Sequence, residues 1–124
     1  GRNRLPYNCE LEDPTIWWAN DQYNVICTDW EGKVTGGQKP VIYYTSKDGI
    51  EYELYSKIPV WTQEEPIYLE DGSQLKVSRI ERPQVYINED GQLTALLVAI
   101  GIETRSHDYI VIRPVDKFVP TNLP

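Results

Sequence analysis

Short stretches of alternating or wholly apolar residues, separated by turn-forming residues, run through most of the chain. Residues 15–18 are β-branched or aromatic, and Ala19-Asn20-Asp21-Gln22 forms a turn into the apolar run 23–28, which predicts a β-hairpin. Residues 29–40 contain Gly32, Gly36 and Gly37 among scattered charges and read as a loop. A second hairpin follows: strand 41–45, the turn Ser46-Lys47-Asp48-Gly49, and the strictly alternating strand 50–54. These four strands predict one complete antiparallel sheet.

The region 59–73 carries Trp61 and an acidic cluster of Glu64, Glu65, Glu70 and Asp71, which reads as a solvated connection rather than a cation site. Strands are then expected at 75–80, 84–87, 93–100 and 109–113, with the turn Asn88-Glu89-Asp90-Gly91 between the second and third. Residues 1–11 read as an irregular lead-in and 114–124 as a proline-marked tail. No stretch keeps a helical period with caps, so the expected class is all-β in a single domain, residues 1–124. A sandwich, a barrel and propeller blades are all compatible with it.

One pattern occurs twice. Glu12-Asp13-Pro14-Thr15-Ile16-Trp17 and Glu81-Arg82-Pro83-Gln84-Val85-Tyr86 both place acid residues at a proline and continue into a strand and an Asn/Asp turn, with the prolines 69 positions apart. The expectation is two copies of one four-stranded unit, at about 12–56 and 75–115, each presenting a carboxylate at the same structural place.

Composition narrows the chemistry. With 12 basic and 19 acidic residues the formal charge is −7, the wrong sign for a phosphate-binding surface, so nucleic acid is not an expected partner. No apolar run approaches the ~18 residues of a membrane span, and no membrane partner is expected. Four Trp and nine Tyr stand against one Phe and no Met; such side chains serve sheet packing and also stack on sugar rings. Cys27 lies in an apolar run and reads as a buried thiol, with a bridge to Cys9 as the other possibility. One histidine and no Cys-x-x-Cys pair give no metal motif, and neither metal nor cofactor is assigned.

The motifs also carry a resemblance. Glu12-Asp13-Pro14-Thr15-Ile16-Trp17 resembles the Asp-Pro strand, and Glu81-Arg82-Pro83-Gln84-Val85-Tyr86 the Glu-x-Pro strand, of five-bladed β-propeller glycoside hydrolases of the clan containing families 43 and 62, with families 32 and 68 more distant. Ser46-Lys47-Asp48-Gly49-Ile50-Glu51-Tyr52 is similar to their Ser-x-Asp-Gly-x-x-Trp hairpin, with Tyr52 where Trp is usual. The resemblance covers most of residues 5–115 and implies two to three antiparallel four-stranded blades, the C-terminal portion of a propeller.

It further implies Glu81 as general acid and Asp13 as the carboxylate that orients it and tunes its pKa. The family's third carboxylate, a base or nucleophile on the first blade, has no match in this chain, so the 124 residues alone are expected to be inactive. Carbohydrate is the implied partner, of plant or algal type, in a periplasmic or secreted setting. The chain is expected to pair with further N-terminal blades or to self-associate through sheet edges. A non-catalytic carbohydrate-binding or assembly module is the alternative.

Single residues also have plainer readings. Asp13 suits an Asx turn before a strand, and Glu81 a surface ion pair with Arg79 or Arg82. Trp17 and Trp18 point to opposite faces of a regular strand, so only one can line a sugar pocket. Trp30 in the glycine-rich loop is the candidate sugar platform, and Arg82 a candidate for a substrate hydroxyl or a neighbouring carboxylate. His107, the one imidazole, reads as a turn residue.

Overall fold

A computed structural model describes residues 11–37, 39–103 and 108–115. Nine strands and no helix are found among them. β1 (Leu11–Ala19), β2 (Gln22–Asp29), β3 (Val41–Ser46) and β4 (Glu53–Leu54) form an antiparallel sheet in chain order. β5 (Ile67–Tyr68) and β6 (Gln74–Leu75) make a small hairpin. β7 (Val77–Ile87), β8 (Leu93–Ile102) and β9 (Asp108–Pro114) form a second antiparallel meander.

The turns form where local chemistry demands them. Asn20 and Asp21 have φ of 56° and 55°, the left-handed pair that a two-residue hairpin turn requires. Beneath it, the buried Asn24 amide donates to the carbonyls of Ala19 at 3.2 Å and Gln22 at 3.1 Å and accepts the Tyr43 hydroxyl. In the next turn Asp48 Oδ1 accepts the backbone N–H of Ile50 and Glu51 at 2.8 and 2.9 Å. Those bonds occupy the donors that strand pairing would use, so β4 is two residues long where alternation predicted five.

Two expectations need correction in the second half. Residues 75–80 and 84–87 do not form separate strands: β7 runs unbroken from Val77 to Ile87, through a register shift between Glu81 and Gln84. The sheet therefore has three strands, not four. Trp61, read as part of a solvated connection, is fully buried. Its carbonyl and Val41 N–H are hydrogen-bonded at 2.8 Å, and the Arg113 guanidinium lies 3.8 Å from the centre of its ring.

The core lies between the two large sheets. Ile26, Val41 and Tyr43 of the first meet Ile80, Leu96, Val98 and Ile100 of the second, with Trp61 beside them. A smaller cluster of Val25, Cys27, Ile42 and Tyr44 fills the far side of the first sheet, covered by Val34 and Tyr52. Cys27 is buried as its apolar surroundings predicted; Cys9 and His107 lie outside the described residues.

Candidate functional site

Both acid-proline motifs sit on bulged strands. In β1 the register shifts between Glu12 and Thr15, and in β7 between Glu81 and Gln84. A proline cannot donate to a sheet ladder, and a bulge is where a paired strand tolerates one. The left-handed residue of each bulge directly precedes the proline: Asp13 at φ 52° and Arg82 at φ 53°. The carboxylates at the same place in the two copies are therefore Glu12 and Glu81, not the expected site pair Asp13 and Glu81. Asp13 corresponds to Arg82, and Glu81 corresponds to Glu12.

The bulges meet. β1 and β7 pack against one another, and Thr15 Oγ1 donates a 2.7 Å hydrogen bond to the carbonyl of Pro83. Two motifs 69 residues apart in sequence become one locality at the junction of the two sheets.

Glu81 lies on the face of β7 turned away from the core, beside Arg79 two residues earlier. The Arg79 Nε is 3.3 Å from Glu81 Oε1, and its Nη2 is 2.9 Å from Asp108 Oδ1 on β9. The plainer reading of Glu81, an ion pair with Arg79, therefore describes a contact that exists. Arg79, Gly101 and Asp108 stand opposite one another across the three strands. The guanidinium lies over Gly101, where a Cβ would come within 2.6 Å of Arg79 Cζ. A cavity of about 240 Å³ opens here, lined by Arg79, Glu81, Arg82, Asp108, Tyr109 and Ile110 among others.

Glu81 and Arg82 thus share a cavity, while Asp13 is exposed and outside its lining. Trp17 and Trp18 do take opposite faces. Trp17 stacks on Tyr43 at 5.7 Å between centroids and packs on the core, and Trp18 is 56 % exposed with its ring edge-on to Tyr23. Trp17 also lines a second cleft of about 240 Å³ with Asn20, Asn24, Tyr43 and Gln92. Burial there pushes the Tyr43 hydroxyl well above the ordinary phenol range, with Tyr55 adding to the effect, so Tyr43 acts as a neutral donor.

Trp30 stands in the loop that the buried Asp29 holds closed: Asp29 Oδ2 accepts the N–H of Val34 and Thr35 at 3.1 and 3.2 Å and the Thr35 hydroxyl at 3.2 Å. Lys39 Nζ lies 3.6 Å from the Trp30 ring centroid, so an ammonium occupies one face of the expected sugar platform.

Sequence reasoning passed over Arg79 as a site residue, and also Asp108 and Tyr109. The signal for Arg79 was its i, i+2 spacing to Glu81, which shares a strand face; nothing local marks Asp108, brought in by β8–β9 pairing. Among the described residues no group of three or more His, Cys, Asp or Glu side chains converges as a cation site.

Fold and site define the chain as an all-β protein of antiparallel meanders with a charged cavity beside one bulged strand. No protein family, no curated protein and no solved structure matches it.

Proposed function

We propose that the chain forms blades of a five-bladed β-propeller glycoside hydrolase, in which Glu81 protonates the departing glycosidic oxygen and Asp13 orients it. The observation that carries this reading is the junction of the two bulged motifs through Thr15 and Pro83. A glycosidase needs carboxylates from separate strands at one locality, and two bulged acid-proline strands packed against one another support that reading. The offset between Asp13 and Glu81 within the bulges suits unlike roles for the two. The reading assigns the third carboxylate, base or nucleophile, to a further blade and leaves Arg82, at the rim of the Glu81 cavity, to bind substrate hydroxyls.

The test uses a polypeptide that also carries the third carboxylate. Glu81→Gln lowers hydrolysis of alkyl glycosides by about 10²–10⁴-fold, the usual worth of a positioned acid, and spares aryl glycosides whose leaving groups depart unprotonated. Equal activity of parent and variant on both refutes the acid role.

The second cleft favours a second reading, a carbohydrate-binding module. Aromatic surface from Trp17 and Tyr43 beside the amides of Asn20 and Gln92 is the combination that holds a sugar ring and its hydroxyls. Titration of the 124-residue chain with neutral oligosaccharides, followed by Trp fluorescence, gives saturable binding without turnover under this reading; a flat response removes it.

A further inference from the structure

The dipeptide Asp-Gly occurs in the connections of three hairpins: Asp48-Gly49 between β3 and β4, Asp71-Gly72 between β5 and β6, and Asp90-Gly91 between β7 and β8. Its chemistry is that of a poised ring closure. The glycine nitrogen can attack the aspartate side-chain carbonyl carbon, because no Cβ on the second residue obstructs the approach.

The three glycines are held alike. Their φ values are 76°, 84° and 78°, and each N–H donates within its turn, to Ser46 Oγ at 2.9 Å, the Leu69 carbonyl at 2.9 Å and the Asn88 carbonyl at 3.0 Å. The nucleophile therefore does not distinguish the three turns. The carboxyl group does.

Asp48 Oδ1 accepts the N–H of Ile50 and Glu51 and the Ser46 hydroxyl. Asp71 Oδ1 accepts the Ser73 N–H at 2.9 Å and the Ser73 hydroxyl at 2.5 Å. Each of these aspartates is the acceptor that closes its own turn. In the β7–β8 turn Asn88 takes that part, its Oδ1 accepting the N–H of Asp90 at 3.1 Å and of Gln92 at 2.9 Å. Asp90 is exposed, and its carboxyl makes no hydrogen bond or ion pair among the described residues.

We propose that Asp90-Gly91 is the site at which the folded chain converts aspartate to isoaspartate, without an enzyme. The Gly91 nitrogen bonds to Asp90 Cγ, and the carboxylic acid hydroxyl leaves with the N–H proton as one water, closing a succinimide. Water then adds to either ring carbonyl. Opening at the side-chain carbonyl restores aspartate, and opening at the backbone carbonyl gives isoaspartate, with the chain running through Cγ and the mass unchanged.

At Asp48 and Asp71 the same closure must first release an anchored carboxylate. The bonds from Glu51 and Ile50, and from the Ser73 hydroxyl and N–H, hold those two carboxyls below the ordinary value of 3.8, and the ionised form is the poorer electrophile. Isomerisation at Asp90 has a defined structural result. It adds one methylene to the backbone of the loop closed by the Ile87 and Leu93 pair, and so displaces Gly91 and Gln92 at the second cleft. The proposal is independent of any sugar-binding or glycosidase role.

Prolonged warming of the folded 124-residue chain at neutral pH, followed by peptide mapping with a protease that cuts before aspartate but not isoaspartate, tests it. Conversion at Asp90 should exceed that at Asp48 or Asp71 by about tenfold, the factor that one charge-assisted hydrogen bond supplies. In urea, where all three carboxyls are released, the three sites should convert at comparable rates. Asp90→Asn reaches the same succinimide by losing ammonia and should accumulate isoaspartate faster than the parent, whereas Asp90→Glu, which needs a larger ring, should stop the reaction. Both keep the parent circular dichroism. No conversion at Asp90, equal or greater conversion at Asp48 or Asp71 in the folded chain, or an undiminished Asp90 preference in urea overturns the proposal.

Discussion

The Thr15 hydroxyl donates to the Pro83 carbonyl across 2.7 Å, joining the proline of one acid-proline strand to the strand that follows the other. It ties together two sheets that share an apolar core. Thr15→Val keeps the branched shape and removes the donor. The expected loss is about 1 kcal/mol of unfolding free energy, the usual net worth of a partly buried hydrogen bond. Urea unfolding checks it, and Thr15→Ser should recover most of the loss; a Val variant as stable as the parent removes the link.

The β1–β2 turn offers a gain in stability. Asp21 holds φ 55° with a side chain attached, a conformation that costs an L-residue roughly 1 kcal/mol relative to glycine. Asp21→Gly creates the Asn-Gly pair that such turns prefer, and should raise stability by about 0.5–1 kcal/mol. A shift of the urea midpoint to higher concentration at unchanged slope is the expected result.

Elements whose geometry is set within a few residues were legible in the sequence. Asn20-Asp21 and Ser46-Lys47-Asp48-Gly49 announce their turns because side-chain acceptors and positive φ act locally, and Gly49 at φ 76° meets that need directly. The bulge in β7 was not legible. A break in alternation at Arg82-Pro83 looks like the end of a strand, and only pairing with β8, ten residues further on, shows the strand continuing. Trp61 was missed for a related reason. Prolines and acids around it read as solvent-facing, whereas its burial depends on Val41 and Arg113, twenty and fifty-two positions away in sequence. The candidate site divides in the same way: Glu81 and Arg82 were marked by motif, and Asp108 by strand pairing alone.

Asp48 sets an acid dependence for the second hairpin. Its carboxyl lies below the ordinary value of 3.8, chiefly because the ionised form accepts the backbone N–H of Glu51 and Ile50. A carboxyl whose folded pKa is depressed contributes stability that is complete above its unfolded value and lost as pH falls through the folded one. The turn should therefore hold at pH 5 and above and loosen below about pH 4. Amide proton shifts of Ile50 and Glu51 titrating together with the Asp48 carboxyl below 3.8 are the expected observation. In Asp48→Asn the two amides should show no such step.

Gly101 and Arg79 form a pair whose coupling can be measured. A methyl group at position 101 would lie 2.6 Å from Arg79 Cζ and 2.7 Å from Nε, closer than carbon and nitrogen can approach. Either the guanidinium moves off the strand, giving up Asp108 and Glu81, or the β7–β8 pairing shifts. Gly101→Ala should therefore cost about 1–3 kcal/mol, as overpacking does. In Arg79→Ala the obstruction is gone, and adding Gly101→Ala should then cost little, so the two changes couple by 0.5 kcal/mol or more in a double-mutant cycle, within the range of ~0.5–3 for residues in contact. Additive losses would mean that the glycine answers to the backbone and not to the arginine. A coupled cycle would identify Gly101 as the seat that lets Arg79 reach across three strands to stand beside Glu81.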